Sequence, residues 1–456
     1  MTRTLRIAGL ALLALAAACE NFPPNVPPDP PSLDQQLRAN FGQWGVVPIG
    51  AMPPQDPALV ALGQALMFDR ILSGNRDISC MTCHDPGRAL TDGLSLSIGT
   101  GGTGAGPART LGAGREFVPR SAPTLINQGL RPFEVFWDGR VSGFGAGPFQ
   151  TPNGILPFTL PTILAAQAMF PVLSRREMRG DSGDLDVFGN PNELAVLDDA
   201  RHFETWRAVM QRLLAIPEYV TMFNAAFPGT PTGQHGFQHA ATAIGAFEMA
   251  ALTRANSPFD RYLARDDNAL TDQEKRGGIL FFAFDGARCA SCHSGPLLGG
   301  QQFANVGAPQ LGPGSGPELP LDLGRGAVGQ FVGQPFYRFS FRAPPLRNVE
   351  LTAPYFHAGA YPTLEAVVRH YNDAPNAMRN FDVTQLHPSV RGTFHGDPTT
   401  IAEISQNLDH RIAQPLNLTD AEMADIVAFL KALTDPAARD MSSIVPARVP
   451  SGLPVN

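Results

Sequence analysis

The sequence predicts a mainly α-helical protein made of two similar halves, with long irregular loops between modest helices. Three observations carry this expectation. The chain has 456 residues, enough for two domains with buried cores. Its 46 glycines and 43 prolines far exceed ordinary usage and favour long connections. One arrangement, an apolar helical pattern ahead of Cys-x-x-Cys-His, occurs twice.

In the first half the pattern is GQALMF (Gly63 to Phe68), followed by Cys80, Cys83 and His84. In the second it is GGILFF (Gly277 to Phe282), followed by Cys289, Cys292 and His293. Thr271 with Glu274 forms a capping box that opens the second pattern. Thr419 with Glu422 opens a further helix, on which Met423, Ile426, Val427 and Leu430 share one face. The spacing suits c-type haem: two thiols form thioethers to the vinyl groups and the adjacent His reaches the iron. A four-Cys zinc site closes within roughly 20 residues, whereas these pairs lie far apart in the chain, and zinc gives no reason for His after both. The expected architecture is therefore two cytochrome-c-like haem domains, over 39–250 and 251–440, with a tail at 441–456.

Composition narrows the class further. Hydrophobic residues make up 43% of the chain, which excludes wholesale disorder. A net charge of −7 without any Lys/Arg block argues against nucleic-acid binding. Residues 1–18 carry Arg3 and Arg6 and then an apolar run, as in a secretory signal. LAAAC places Cys19 as a lipidated N-terminus, with ordinary cleavage after Ala18 as the alternative. Cysteine parity supports lipidation, because Cys19 is left over from the two pairs. Residues 19–38 then read as an anchor and Pro-rich linker, giving a periplasmic or cell-envelope protein that meets a membrane only through lipid.

Axial ligation decides whether a haem carries electrons or reacts. No histidine lies between His84 and His202, so the economical first haem has an open position, with Met169 and Met178 as remaining ligands. The Gly-rich stretches 97–114 and 310–326 lack GK[ST] and read as loops that border a haem rather than phosphate loops. His202, His387, His395 and His410 read as surface or satisfied core residues, and His235 with His239 as the same or as a helical metal pair.

ALMFDRILSGNRDISCMTCHDP, RSAPTLINQGLRPFEVFWDGR and LRNVELTAPYFHAGAYPTLEAVVRHYN together resemble the bacterial di-haem cytochrome c peroxidase family, in its MauG-like branch. The resemblance implies an enzyme that reduces hydrogen peroxide at the His84 haem of a peroxidatic N-terminal domain. Trp137 would relay electrons from the second haem, in an electron-transfer domain. Gln167, Pro171 and Glu177 would form the distal pocket, with Glu177 moving a proton between the peroxide oxygens. Fourteen residues after His357, where ordinary members carry a ligating Met, stands Tyr371, as in the MauG-like branch. The adjacent His370 competes, and helical neighbours point about 100° apart, so both cannot face the iron. The resemblance also implies Ca²⁺ between the domains, at Thr352 and Pro354 carbonyls and at Ser121, which replaces the usual Asn. Arg140 and Arg347 would pair either with haem propionates or within structural ion pairs. Electrons would come from a small electron-transfer protein (a cytochrome c or cupredoxin), or from Tyr or Trp side chains of a partner protein. The competing class is a non-catalytic di-haem electron carrier, which needs both irons closed by two protein ligands.

Overall fold

The helix ahead of each Cys-x-x-Cys-His motif lies within one of the two largest buried apolar cores among the described residues. The computed structural model describes residues 30–131, 133–152 and 154–455, so Cys19, the signal segment and the first part of the Pro-rich linker lie outside the described residues. The fold is mostly helical. The helices that position the site are α1 (Leu33–Ala39), α2 (Pro57–Phe68), α3 (Ile163–Ala168), α4 (His202–Leu214), α5 (Phe237–Ala251), α6 (Asp272–Phe282), α7 (Leu364–Asn372) and α8 (Asp420–Lys431). Among the described residues no helix is long and apolar enough to cross a membrane.

The two halves use the same packing device. In the first, α2 packs on α5 so closely that a Cβ on Gly63 would stand 2.0 Å from the Ala243 carbonyl oxygen. In the second, α6 packs on α8, and a Cβ on Gly277 would stand 1.9 Å from the Asp425 carbonyl oxygen. Each glycine leads the apolar pattern of its motif and lets two helix backbones approach. Both expected capping boxes are present, with Thr271 accepting from the Glu274 amide and Thr419 from the Glu422 amide. Met423, Ile426, Val427 and Leu430 are buried as the periodicity predicts.

The ends of the chain depart from the expected division at 39–250 and 251–440. Residues 33–38, read as linker, fall in α1 behind a Ser32/Gln35 capping box. Leu37, Phe41 and Val46 then pack into the second core, not the first. Residues read as a tail return to the first core, where Met441, Ile444, Val449 and Leu453 are buried. Neither segment has an amphipathic period long enough to declare its partner.

Two small antiparallel ribbons join the halves. Glu134–Val135 pairs with Val141–Ser142 in a four-stranded ribbon, and Phe303–Ala304 pairs with Phe341–Arg342. The Arg342 amide donates to the Trp137 carbonyl at 2.9 Å, tying one ribbon's turn to the other ribbon. Buried Arg120 adds a second tie, donating to Asp322 through Nε and Nη2 and to Asp138 through Nη1 at 2.6–2.8 Å.

Candidate haem sites

The first motif lies on a short helical turn, Cys80–Cys83, against a cavity in the first half. Its two thiols are free, and burial, reinforced by the Glu248 carboxyl, pushes the Cys80 thiol up to about 12. His84 Nδ1 lies 3.1 Å from the Leu90 carbonyl, where it donates and leaves Nε2 as the lone-pair nitrogen. Burial lowers the His84 pKa, which favours the neutral imidazole that an iron ligand must be. The second motif repeats the arrangement. Its cavity is bordered by Cys289, Cys292 and His293, and His293 Nδ1 is held by the Leu298 and Pro344 carbonyls at 3.2 and 3.1 Å. Free paired thiols plus a neutral, oriented imidazole at each cavity fit covalently attached haem.

Glu177, Gln167 and Pro171 all border the first cavity. Gln167 is near the end of α3, and Pro171 opens a 3₁₀ turn, Pro171–Leu173. Glu177 occupies a π-helical turn, Arg175–Arg179, in which the Glu177 amide donates to Ser174 Oγ and which stops at Gly180 with φ 84°. The sequence alone reads this stretch as a helix and a charged turn; the turn is π-helical and presents a carboxyl to the cavity. Burial pushes the Glu177 carboxyl up, against the opposing pull of Arg140 and Arg120. Met178 borders the cavity, whereas Met169 is packed in the first core. His202, expected to be a surface or satisfied core residue, borders the cavity from the start of α4. The Gly-rich segments reach the same wall through Ser97, Ser315 and Gly316, the latter two supplied by the second half of the chain.

In the second cavity the neighbours His370 and Tyr371 separate clearly. Tyr371 borders the cavity. His370 is 1% exposed and turns away, with Nδ1 2.8 Å from the Tyr361 hydroxyl and Nε2 2.8 Å from the Val306 carbonyl. Burial raises the Tyr371 phenol well above its ordinary range, so a cation is needed to hold it as phenolate.

Trp137 lies between the two sites and borders both cavities, as do Ser121, Ala122 and Pro123. Its indole donates to the Ser121 carbonyl at 3.0 Å, and the Ser121 amide donates to the His357 carbonyl at 2.8 Å. Thr352 and Pro354 share the wall of the second cavity with Ser121. The Ser121 hydroxyl donates to the carbonyls of Phe356 and His357 at 3.3 and 3.2 Å. A cation at these positions would rest on carbonyl and water oxygens without a carboxylate, a weak calcium donor set.

The arginine alternatives divide as well. Arg347 forms an ion pair with Asp260 at 2.9 Å, whereas Arg140 borders the first cavity and pairs with Asp138 at 3.3 Å. His235 precedes α5, so the two histidines do not share a helix as the metal-pair alternative requires. Its Nε2 meets Asn224 at 3.1 Å, and His239 Nδ1 accepts from the Gly236 amide at 3.0 Å. Among the described residues no cluster of three or more His, Cys, Asp or Glu is placed to hold a metal.

Sequence reasoning missed Glu248, Arg342 and Arg411, all of which border a cavity. Only Glu248 left a signal, as a lone acid inside the apolar run FQHAATAIGAFEMAA.

A family profile described as di-haem cytochrome c peroxidase matches residues 57–268. Cytochrome c551 peroxidase of Pseudomonas aeruginosa is 35% identical over 65% of this chain and 67% of its own length. The chain belongs to the di-haem cytochrome c peroxidase family. As a family member it is an oxidoreductase with two c-type haems. The methylamine utilization protein MauG of Methylorubrum extorquens is 28% identical over 88% of this chain and 86% of its own length. Among solved structures, a MauG-like protein associated with microbial copper homeostasis aligns with a TM-score of 0.58 and 25% identity, over 87% of this chain and 95% of that one. The di-haem peroxidase of Burkholderia thailandensis, at 23% identity and a TM-score of 0.55 over 86% of this chain and 89% of that one, shares the fold.

Proposed function

We propose that this protein reduces hydrogen peroxide at the first motif, in an N-terminal haem domain, and draws two electrons through Trp137 from a second, electron-transferring haem domain. The observation that carries the reading is that Trp137 borders both cavities while Glu177 and Gln167 border the first alone. Haem attached at each motif would supply a redox-active iron, held by His84 at the first site and by His293 with Tyr371 at the second.

The side chains do the rest. Gln167 orients peroxide by hydrogen bonding. Glu177 takes a proton from one peroxide oxygen and returns it to the other, so that the O–O bond breaks with water leaving. Two electrons and two protons convert each peroxide to two waters. Trp137 offers the electron path, and its hydrogen bond to the Ser121 carbonyl fixes the indole between the sites. Pro171 gives the distal turn its shape.

The electrons come from a small electron-transfer protein (a cytochrome c or cupredoxin), or from Tyr or Trp side chains of a partner protein. The 28% identity to MauG over most of both chains supports the second source. Export by residues 1–18 and lipid anchoring through Cys19 would hold the enzyme in the cell envelope. Calcium at Ser121, Thr352 and Pro354 would be weakly bound.

EPR of the fully oxidised protein tests the central assignment. A high-spin ferric signal beside a low-spin one is expected, and two low-spin signals would return the protein to the electron-carrier class. Glu177→Gln should lower peroxide turnover by about 10²–10⁴-fold.

A further inference from the structure

Glu248 is a buried acid that the peroxide chemistry leaves unused. It projects from α5, is 4% exposed, and its Oε2 has no hydrogen-bond partner among the described residues. It borders the first cavity together with Cys80, and the two are close enough for the carboxylate to disfavour the thiolate.

The surroundings do not neutralise it. α2 and α3, packed against α5, carry no ionisable side chain, nor does the turn Gln128–Leu130. On α4, Arg212 is paired with Glu193, Glu204 with Arg201, and Arg207 is exposed. His202 remains as the titratable α4 group at the same cavity, and across it Glu177 lies in the field of Arg120 and Arg140. On α5 itself, His239 caps the Gly236 amide. Burial alone holds the Glu248 carboxyl up at about 8.

We propose that Glu248 is the redox-linked proton site of the first haem: the unpartnered carboxylate beside the Cys80 attachment point gains a proton when that haem is reduced and loses it on oxidation. The inference rests on the two-haem reading above. A ferric haem carries one positive charge more than a ferrous one, and that charge favours the ionised carboxylate in a cavity of low dielectric. Reduction removes it. One electron arrives from a one-electron donor such as a small redox protein, one proton arrives from solvent, and an O–H bond forms on Glu248. Oxidation reverses both transfers.

The test is potentiometric titration of the holoprotein from about pH 6 to about pH 10, with the two haems followed separately by their optical bands. For wild type, the reduction equilibrium of the first haem should become less favourable with pH, approaching tenfold per pH unit, about 59 mV for one electron. Glu248→Gln should remove this slope while keeping two haems per chain and leaving the second haem unchanged. Glu248→Asp should keep a slope at a displaced pH. A flat wild-type titration, or an undiminished slope in Glu248→Gln, overturns the assignment and turns attention to His202 and Glu177. Fewer than two haems per wild-type chain would instead overturn the two-site reading.

Discussion

Tyr371 and His370 are adjacent on α7, yet only the phenol reaches the second cavity, because both imidazole nitrogens of His370 are satisfied elsewhere. Phenolate is a harder and more anionic donor than thioether, so it should favour the oxidised metal. Tyr371→Met should therefore raise the potential of the second haem and shift its optical spectrum. His370→Gln should leave the ligation spectrum in place and cost stability through the lost Tyr361 and Val306 bonds. A spectral change in His370→Gln but not in Tyr371→Met would reverse the assignment. Glu177 yields a pH prediction at the same scale. It must be ionised to accept a proton, and burial raises its carboxyl, so turnover should fail in acid at a pH above the ordinary Glu value of about 4.3. Steady-state peroxide turnover against pH checks this, and the acid limb should disappear in Glu177→Gln.

At the scale of elements, the two motif helices are seated by Gly63 and Gly277, where backbone oxygens of the facing helices occupy the space of a Cβ. Gly63→Ala should destabilise the first half and Gly277→Ala the second, each by about 1–3 kcal/mol or more, as overpacking against a rigid backbone does. Gly392, where a Cβ would meet nothing within 4 Å, is the control and should change stability by less than about 0.5 kcal/mol when made Ala. Urea unfolding, followed at each haem's own band, separates the two halves. The π-helical turn around Glu177 is the other decisive element. Its Ser174 cap and its Gly180 stop are local, but the direction in which Glu177 faces depends on the loop at Gly99, which packs against the Arg176 and Glu177 backbone.

Across the whole molecule, the exchange of chain ends couples the halves. Removing residues 441–456 takes Met441, Ile444, Val449 and Leu453 out of the first core. At about 1.5–3 kcal/mol for each buried apolar side chain, the loss should exceed about 5 kcal/mol. The thermal midpoint of the first half should fall by more than about 10 °C in calorimetry, with the second half less affected. The wall shared by Ser121, Thr352 and Pro354 is where calcium would join the halves. Dialysis against a chelator should strip it readily, and Ser121→Asn should tighten it by tenfold or more in a calcium-binding titration, since an amide carbonyl adds a ligand.

Local sequence is enough to specify the covalent chemistry. Cys-x-x-Cys-His twice, each behind a glycine-led helical pattern, is an arrangement whose meaning does not depend on distant contacts, and α2, α6 and α8 form where their caps and periods predict. Tyr371, Trp137, Gln167, Pro171 and Glu177 were legible only through family likeness, because their types and spacings carry no local signature. Long-range packing was needed to select which of His370 and Tyr371 faces the cavity, to set Trp137 against both sites, and to leave Glu248 unpaired beside Cys80. It also carries the chain ends across between the cores. The physical reason is common to all four: helix and capping preferences act over a few residues, whereas burial and hydrogen-bond satisfaction are settled between segments far apart in the chain.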